Sequence, residues 1–590
     1  MRPSITAKTI FGPIQRIRVW YALLLLLNAV FIVRLFYLQI IRHDHYQSAA
    51  LSGQLKEYEI PPERGIIEAH NGETVVPIVL NETKFTLFAD PVYVKDAGKA
   101  ADKIARAIGG SAKEYEDKIN ASDTRYVVLS KKLDKAQSEK IKELDLKGIG
   151  TRGVPYRTYP QGSLASQLLG FVNDEGIGKY GLEEALNSEL KGRPGQLKAI
   201  TDAKGVPLAA NRDNIITEAK AGERLTLTID VGMQQQLEDI LKTGLDRAKS
   251  DSGSTLILEA KTGAVKAMAN YPTYNPGEFY KVEDGSVFNN AAVSAPLEVG
   301  SVMKPLTAAA ALDLGAITKN TSYQDPGFFK IGDAKITNIE EVGGPGTKTV
   351  ADILQQSLNT GATWMLMQMG GGEINEQART RWHEYMTERY NFGATTGIEQ
   401  GYEAEGSVPH PTEGFGLNIQ YANTAFGQGA TQTPLQIAAA LASVINGGTY
   451  YRPHLVEKTS SGGKQMVKQP EALHKNVIKP QTSQDVRSLM EYAFSKNYRG
   501  YGMTNLRPEF SIGGKTGTAQ IPKPGGGYYT DRYNGMFLGY IGGNEPQYVI
   551  VVRINEPKIG GYAGSKAAAP VFVDLANMLI NNFGVTPKGQ

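Results

Sequence analysis

The stretch "GSVMKPLTAAAALDLG", residues 300–315, sets a serine and a lysine three positions apart at the head of an alanine-rich apolar run. Such a run predicts a buried helix with Pro305 in its first turn, where a missing N–H is tolerated. Ser301 and Lys304 then share one face. The Ser301 N–H belongs to the positive end of the helix, a preset place for an anion. Two other Ser-x-x-Lys pairs, Ser188–Lys191 and Ser461–Lys464, lack that setting. Ser188 sits in the polar helix "LEEALNSELKG", on the surface. Ser461 sits in "TSSGGKQ", which reads as a flexible loop with no helix to fix the lysine.

Composition narrows the chemistry. The chain has no cysteine, which excludes a thiolate nucleophile, a disulfide framework and a thiolate metal site. Seven scattered histidines without an HExxH pair give no reason to expect a metal, and no other cofactor is implied. No GxSxG elbow is present, so a serine activated by lysine is the remaining route to acyl transfer.

Two further elements can be sought downstream. Ser-x-Asn occurs at Ser357–Asn359, in the apolar setting "DILQQSLNTGATWMLMQMG", and at Ser495–Asn497, in the charged and exposed "FSKNYRGYG". Polar groups in the first setting must find partners indoors. Lys-Thr-Gly occurs three times. At 242–244 it closes an amphipathic helix, with Gly244 in the helix or at its cap. At 261–263 it is the turn of the hairpin "STLILEAKTGAVKAMAN". The third copy, in "FSIGGKTGTAQI", lies inside a strand that carries Gly513, Gly514 and Gly517, where glycine marks close approach by a ligand or another backbone. Strands "GMFLGYI" and "QYVIVVRIN" and the helix "AAAPVFVDLANMLINNF" follow, an antiparallel meander under a terminal helix.

The 590 residues exceed one domain, and 41% hydrophobic with 21% charged content is ordinary globular composition. A net charge of +3 makes no case for nucleic acid. Arg2, Lys8, Arg16 and Arg18 precede an apolar run from Val19 to Ile41, long enough to cross a bilayer. The basic flank assigns residues 1–18 to the cytoplasm and the rest to the far side. A cleaved signal peptide would need a shorter core and a small-residue site nearer than Ser48-Ala49-Ala50. Arg34 is placed to snorkel, or with Asn28 to mark a face that packs on a partner's membrane helices. Short strands such as "EYEI", "KFTLFAD" and "RYVVL" alternate with helices near 99–108 and 135–145. This reads as a non-catalytic pedestal over 42–222, followed by a catalytic domain over 223–585 and a tail over 586–590.

Taken in order, Ser301–Lys304, Ser357–Asn359 and Lys515–Thr516–Gly517 resemble the three signatures of the penicillin-interacting serine transpeptidases and β-lactamases. The resemblance to class B penicillin-binding proteins extends along nearly the whole chain. It runs through "RGIIEAHNGE", "YRTYPQGSLASQLLGFVN", "GKYGLEEALNSELKGRPG", "LTLTIDVGMQQQLE", "LEAKTGAVKAMANYPTYNP" and "FGQGATQTPLQIAAALASVINGG". Val299 stands where these proteins usually have proline, and His70 where they usually have arginine; neither removes a catalytic atom.

The resemblance implies an α+β multidomain fold: a transmembrane helix, an elongated β-rich pedestal of the dimerisation type, and a transpeptidase domain. That domain would hold an antiparallel sheet with helices on both sides and an all-helical subdomain. It also implies acyl transfer from the D-Ala-D-Ala end of a peptidoglycan stem peptide to a neighbouring amine, with β-lactam antibiotics as mimics. Ser301 is then the nucleophile. Lys304 is the base, neutral because burial and Lys515 depress its pKa. Ser357 relays the proton, and Asn359 orients Lys304 and a substrate amide. The N–H groups of Ser301 and Thr518 form the oxyanion hole. Thr516, Thr518 and Lys515 suit the terminal carboxylate, and Gly513, Gly514 and Gly517 let the peptide lie against that edge strand. Rival readings are a D,D-carboxypeptidase or β-lactamase, which would hydrolyse, and an inactive penicillin-binding scaffold or sensor. Residues 50–222 show no glycosyltransferase motif, so a glycan-polymerising partner is expected. For class B proteins this is typically a SEDS-family membrane protein, within the divisome or elongasome. By analogy, division is favoured over elongation.

Overall fold

The structure, a computed structural model, describes residues 13–46, 55–120, 125–200, 215–338 and 344–589. Arg2, Lys8, most of the 1–18 tail, Ser48-Ala49-Ala50 and Gln590 lie outside those residues. The chain divides into two units, one of residues 1–62 and 193–220, the other of 63–192 and 221–590.

In the first unit the helix Pro13–Phe36 runs on as a π-helical turn, Tyr37–Ile41. Its apolar span Ile17–Ile41 is 25 residues with none buried, about 37 Å of helix, enough to cross a membrane. Asn28 and Arg34 both find partners on the helix itself. Asn28 Nδ2 donates to Leu24 O at 3.0 Å, and the Arg34 guanidinium lies over the Tyr37 ring at 5.5 Å. Strands Leu55–Ile60, Gly195–Ile200 and Ile215–Thr217 form an antiparallel sheet in the same unit.

The second unit holds two larger sheets. In the first, Ile67–Asn71 pairs antiparallel with the long strand Thr74–Ala89 and parallel with Arg224–Asp230. Val127–Leu133 and Ile149–Thr158 pair with Thr74–Ala89, and Val456–Ser461 with Lys464–Val467 extends the other flank. Glu183, with no exposed surface, ties this region together: Arg64 Nε and Arg157 Nε each donate to it at 2.7 Å. Burial of that carboxylate is tolerable because both oxygens accept a guanidinium N–H. His70 forms an ion pair with Glu457.

Ser461 and Lys464 are not in a flexible loop. They close a hairpin whose two turn residues, Gly462 and Gly463, have φ of 56° and 80°. Two consecutive positive φ values are what a tight two-residue turn requires, and two glycines supply them without steric cost.

The second sheet belongs to the catalytic part. Helix α1 (Val231–Ala248) precedes the hairpin β1 (Ser252–Glu259) and β2 (Val265–Tyr271). Then come α2 (Lys304–Asp313), α3 (Val350–Gln355), α4 (Asn359–Met369) and α5 (Pro434–Ile445). Strands β3 (Ser511–Pro522), β4 (Tyr528–Gly542) and β5 (Pro546–Asn555) and helix α6 (Ala569–Asn582) close the chain. The sheet order is β2-β1-β5-β4-β3, all antiparallel, so the meander joins the earlier hairpin and β3 is an edge.

Period-2 alternation divides the strands between two cores. Val549, Val551, Met536 and Leu538 face the helical side with Leu306, Ile437 and Leu441. Ile550, Val552, Ile554 and Phe537 face α1 and α6 with Leu237, Leu241, Phe572 and Leu575. Each such side chain, fully buried, contributes about 1.5–3 kcal/mol.

The tripeptide at 242–244 does not end its helix, because α1 continues to Ala248. A Cβ on Gly244 would stand 2.2 Å from Val571 Cγ2, so glycine there serves the close approach of α6. The copy at 261–263 is the β1–β2 turn, with Gly263 at φ 76°.

Candidate active site

Ser301 lies on the one-turn 3-10 helix Gly300–Met303, directly ahead of α2. Gly300 has φ 61°, and its N–H donates to Gly427 O at 2.9 Å. A Cβ on Gly300 would stand 3.0 Å from Thr518 O, and one on Gly517 would stand 2.6 Å from Val299 O. Glycine at both positions lets β3 press backbone to backbone against the turn that carries Ser301. Ser301 and Thr518, 217 positions apart in the chain, become neighbours this way.

Lys304 is fully buried. Its Nζ lies 2.6 Å from Ser357 O, 2.9 Å from Asn359 Oδ1 and 3.2 Å from Ser357 Oγ; as a neutral amine it donates to the two carbonyl oxygens and accepts from the hydroxyl. Lys515, on β3, is 3% exposed, and its Nζ donates to Ser357 Oγ at 2.8 Å and Thr516 O at 3.0 Å. Ser357 Oγ therefore stands between two lysine nitrogens. The chain delivers it there by a sharp reversal between α3 and α4, with Ser357 at φ 59°. That left-handed conformation costs a serine roughly 1–3 kcal/mol and persists only where the surroundings enforce it.

Asn359 opens α4, and its amide is fixed at both ends, since Nδ2 donates to Thr337 O at 3.1 Å. The next residue anchors the helix: Thr360 N donates to Asn338 Oδ1 at 3.0 Å and Thr360 Oγ1 to Asp325 at 2.7 Å.

Neither lysine Nζ pairs with a carboxylate among the described residues. Burial, and next the positive charge of Lys515, push the Lys304 pKa well below its ordinary value. Burial alone lowers Lys515 to about 7. A cation without a counter-ion in a desolvated place gives up its proton. A shift in that direction favours the neutral amine with a lone pair, the state a general base needs.

The structure gathers Lys304, Ser357, Asn359 and Lys515 into one hydrogen-bonded cluster, with Ser301 and Thr518 adjoining it. Lys304 spends its bonds on residues 357 and 359, and the half-buried Ser301 Oγ has no hydrogen bond among the described residues. Thr516 Oγ1 accepts from Lys515 Nζ at 3.4 Å. Thr518 Oγ1 accepts from Gly564 N at 3.0 Å, which leaves its own hydrogen to donate.

The glycines of β3 have reasons of their own. A Cβ on Gly513 would stand 2.4 Å from the Tyr540 ring and one on Gly514 2.4 Å from the Phe537 ring, both on the neighbouring strand. The second Ser-x-Asn copy is less exposed than its charged flanks imply. Asn497 Nδ2 donates to Gln355 O at 2.9 Å and Asn497 Oδ1 accepts from Gln355 at 3.1 Å, which braces the end of α3.

Sequence reasoning missed Thr337 and Glu298. Glu298 carried one usable signal, a carboxylate three residues before Ser301 in the apolar stretch "PLEVGS".

Two family models match this chain. That of the penicillin binding protein transpeptidase domain covers residues 253–577, and that of the penicillin-binding protein dimerisation domain covers 59–227. Stage V sporulation protein D of Bacillus subtilis (strain 168) is 30% identical over 561 residues, covering 94% of this chain and 84% of the relative. Peptidoglycan D,D-transpeptidase FtsI of Escherichia coli (strain K12) is 27% identical, over 96% of this chain and 91% of the relative. The crystal structure of penicillin binding protein 2X from Streptococcus thermophilus matches with a TM-score of 0.72 at 23% identity, over 89% of this chain and 80% of that one. At that identity the likeness is one of fold.

Proposed function

Because this chain belongs to the class B penicillin-binding proteins, we propose that it cross-links peptidoglycan as a serine D,D-transpeptidase through an acyl-enzyme on Ser301. The observation that carries this is the meeting of Lys304, Ser357, Asn359 and Lys515 in one buried cluster beside the nucleophile turn.

In the first step Ser301 Oγ attacks the carbonyl carbon of the penultimate D-Ala, and neutral Lys304 takes the hydroxyl proton. The N–H groups of Ser301 and Thr518 hold the oxyanion that forms. The C–N bond breaks as Ser357 passes a proton to the departing D-Ala amine, and Lys304 reprotonates Ser357. In the second step the neutral amine of a neighbouring stem peptide attacks the ester. Its proton returns to Ser301 Oγ through Lys304, leaving an amide cross-link and a free serine. Lys515, Thr516 and Thr518 receive the terminal carboxylate of the donor and Asn359 receives a backbone amide, while Gly517 seats β3 against the turn that carries Ser301.

The helix Ile17–Ile41 anchors the chain once in the bacterial cytoplasmic membrane, with the catalytic part outside. A SEDS-family glycosyltransferase supplies the glycan strand, and the work is septal. A fluorescent fusion forms a midcell band if so, and an even lateral signal overturns the septal assignment.

The deciding experiment treats the full chain and Ser301→Ala with a fluorescent penicillin. Wild type acquires a long-lived adduct and the variant none. Equal labelling of both removes Ser301 as nucleophile, and rapid turnover of the label replaces transpeptidation by hydrolysis.

A further inference from the structure

We propose that Glu298 is a positioning residue whose carboxylate clasps the outer end of the β3–β4 hairpin, and the loop at 427–429, to the strap that presents Ser301. The proposal rests on the acyl-enzyme reading above and adds a device to it.

The strap is residues 295–300, and its backbone is pinned along its length. Arg553, on β5, donates to Ala295 O at 2.8 Å, and Leu297 and Gln432 exchange both backbone bonds at 3.0 Å. Gly300 N donates to Gly427 O at 2.9 Å. These contacts hold the strap to the sheet and to the 427–432 loop. None of them reaches the far end of the hairpin whose Thr518 must face Ser301.

Glu298 does reach it. Its Oε1 accepts from Gly429 N at 2.8 Å and from the Tyr528 hydroxyl at 2.9 Å. Tyr528 opens β4 and pairs with Pro522, four residues beyond Thr518 on β3. The turn between them carries Gly525, Gly526 and Gly527, all at positive φ with open space around them, so it contributes little stiffness. One carboxylate oxygen thus joins three segments around the nucleophile.

The other oxygen, Oε2, is buried and has no hydrogen-bond partner among the described residues. An unsatisfied buried acceptor is destabilising, and a carboxylate kept in such a place answers to something besides stability. Burial also raises the Glu298 pKa. The tie between the strap and the outer end of the hairpin is the Glu298 side chain.

The test is the acylation kinetics of the full chain in detergent with penicillin, resolving the rate constant for acylation from the dissociation constant of the first complex. Displacement of oxyanion donors by about 1 Å costs of order 10²-fold in rate. Glu298→Ala is expected to lose about that much in the acylation rate constant, with the dissociation constant nearly unchanged. Tyr528→Phe removes one of the two bonds and is expected to lose about tenfold. Glu298→Gln keeps an oxygen that accepts both bonds, and its rate stays near wild type. An unchanged acylation rate in both Glu298→Ala and Tyr528→Phe overturns the proposal, as does Glu298→Gln being as slow as Glu298→Ala. Tyr528→Phe keeps the test decisive if Glu298→Ala does not fold. If wild type itself is not acylated, it is the reading of Ser301 that has failed.

Discussion

Ser357 shows how much of this site is electrostatics set by burial. Two lysine nitrogens converge on one hydroxyl with no carboxylate against either among the described residues, and burial favours loss of a proton from them. Lys515, lowered to about 7, is a cation below that pH and neutral above it. Recognition of a carboxylate needs the cation. The dissociation constant of a carboxylate-bearing β-lactam is therefore expected to rise as pH climbs through about 7, while the acylation rate constant, which depends on the Lys304 amine whose pKa burial lowers, does not fall. A bound anion favours protonated Lys515, which moves the fall to somewhat higher pH. Stopped-flow acylation across that range checks both parts, and an affinity that improves with pH would contradict the assignment. At this scale the sequence was informative where the signal is local. Flanking residues separated the Ser-x-x-Lys and Lys-Thr-Gly that the fold brings together from their duplicates. Glu298 was hidden because its partners, Gly429 and Tyr528, lie 131 and 230 positions further on.

Among the elements, the contact of α1 with α6 turns on one missing methyl group. Gly244→Ala would drive a Cβ to 2.2 Å from Val571 Cγ2, an overpacking that costs about 1–3 kcal/mol. A lower melting temperature is expected, with penicillin labelling of Ser301 retained, and Val571→Ala in the same chain should restore much of the loss. Strands β3, β4 and β5 were readable from alternation and from turn residues between them, and so was the β1–β2 hairpin. That β1 lies against β5 was not readable, because Leu256 pairs with Val551 across almost 300 residues and no local pattern encodes the meeting. The Ser461–Lys464 hairpin was misjudged for a different reason. "SGGK" was weighed as flexible composition, whereas two adjacent glycines flanked by strand-forming residues are a turn instruction.

For the molecule as a whole, a helix long and apolar enough to cross a membrane followed from length and apolarity alone, and the structure begins that stretch two residues earlier, at Ile17. The buried Glu183 is the counterpart to the uncompensated lysines. Arg64 and Arg157 both depend on it, so Glu183→Gln leaves two guanidinium groups short of charge in a dry place. Breaking such a group from one side costs about 3–5 kcal/mol. Chemical denaturation of the variant is expected to show a loss of that order, and penicillin labelling at low temperature should persist if the damage is confined to folding. The parallel pairing of Ile67–Asn71 with Arg224–Asp230 has a practical reach beyond stability. A chimaera that takes its front half from one homologue and its back half from another, joined near residue 222, would splice through a ladder. Both strands have to be inherited from the same parent for the graft to close.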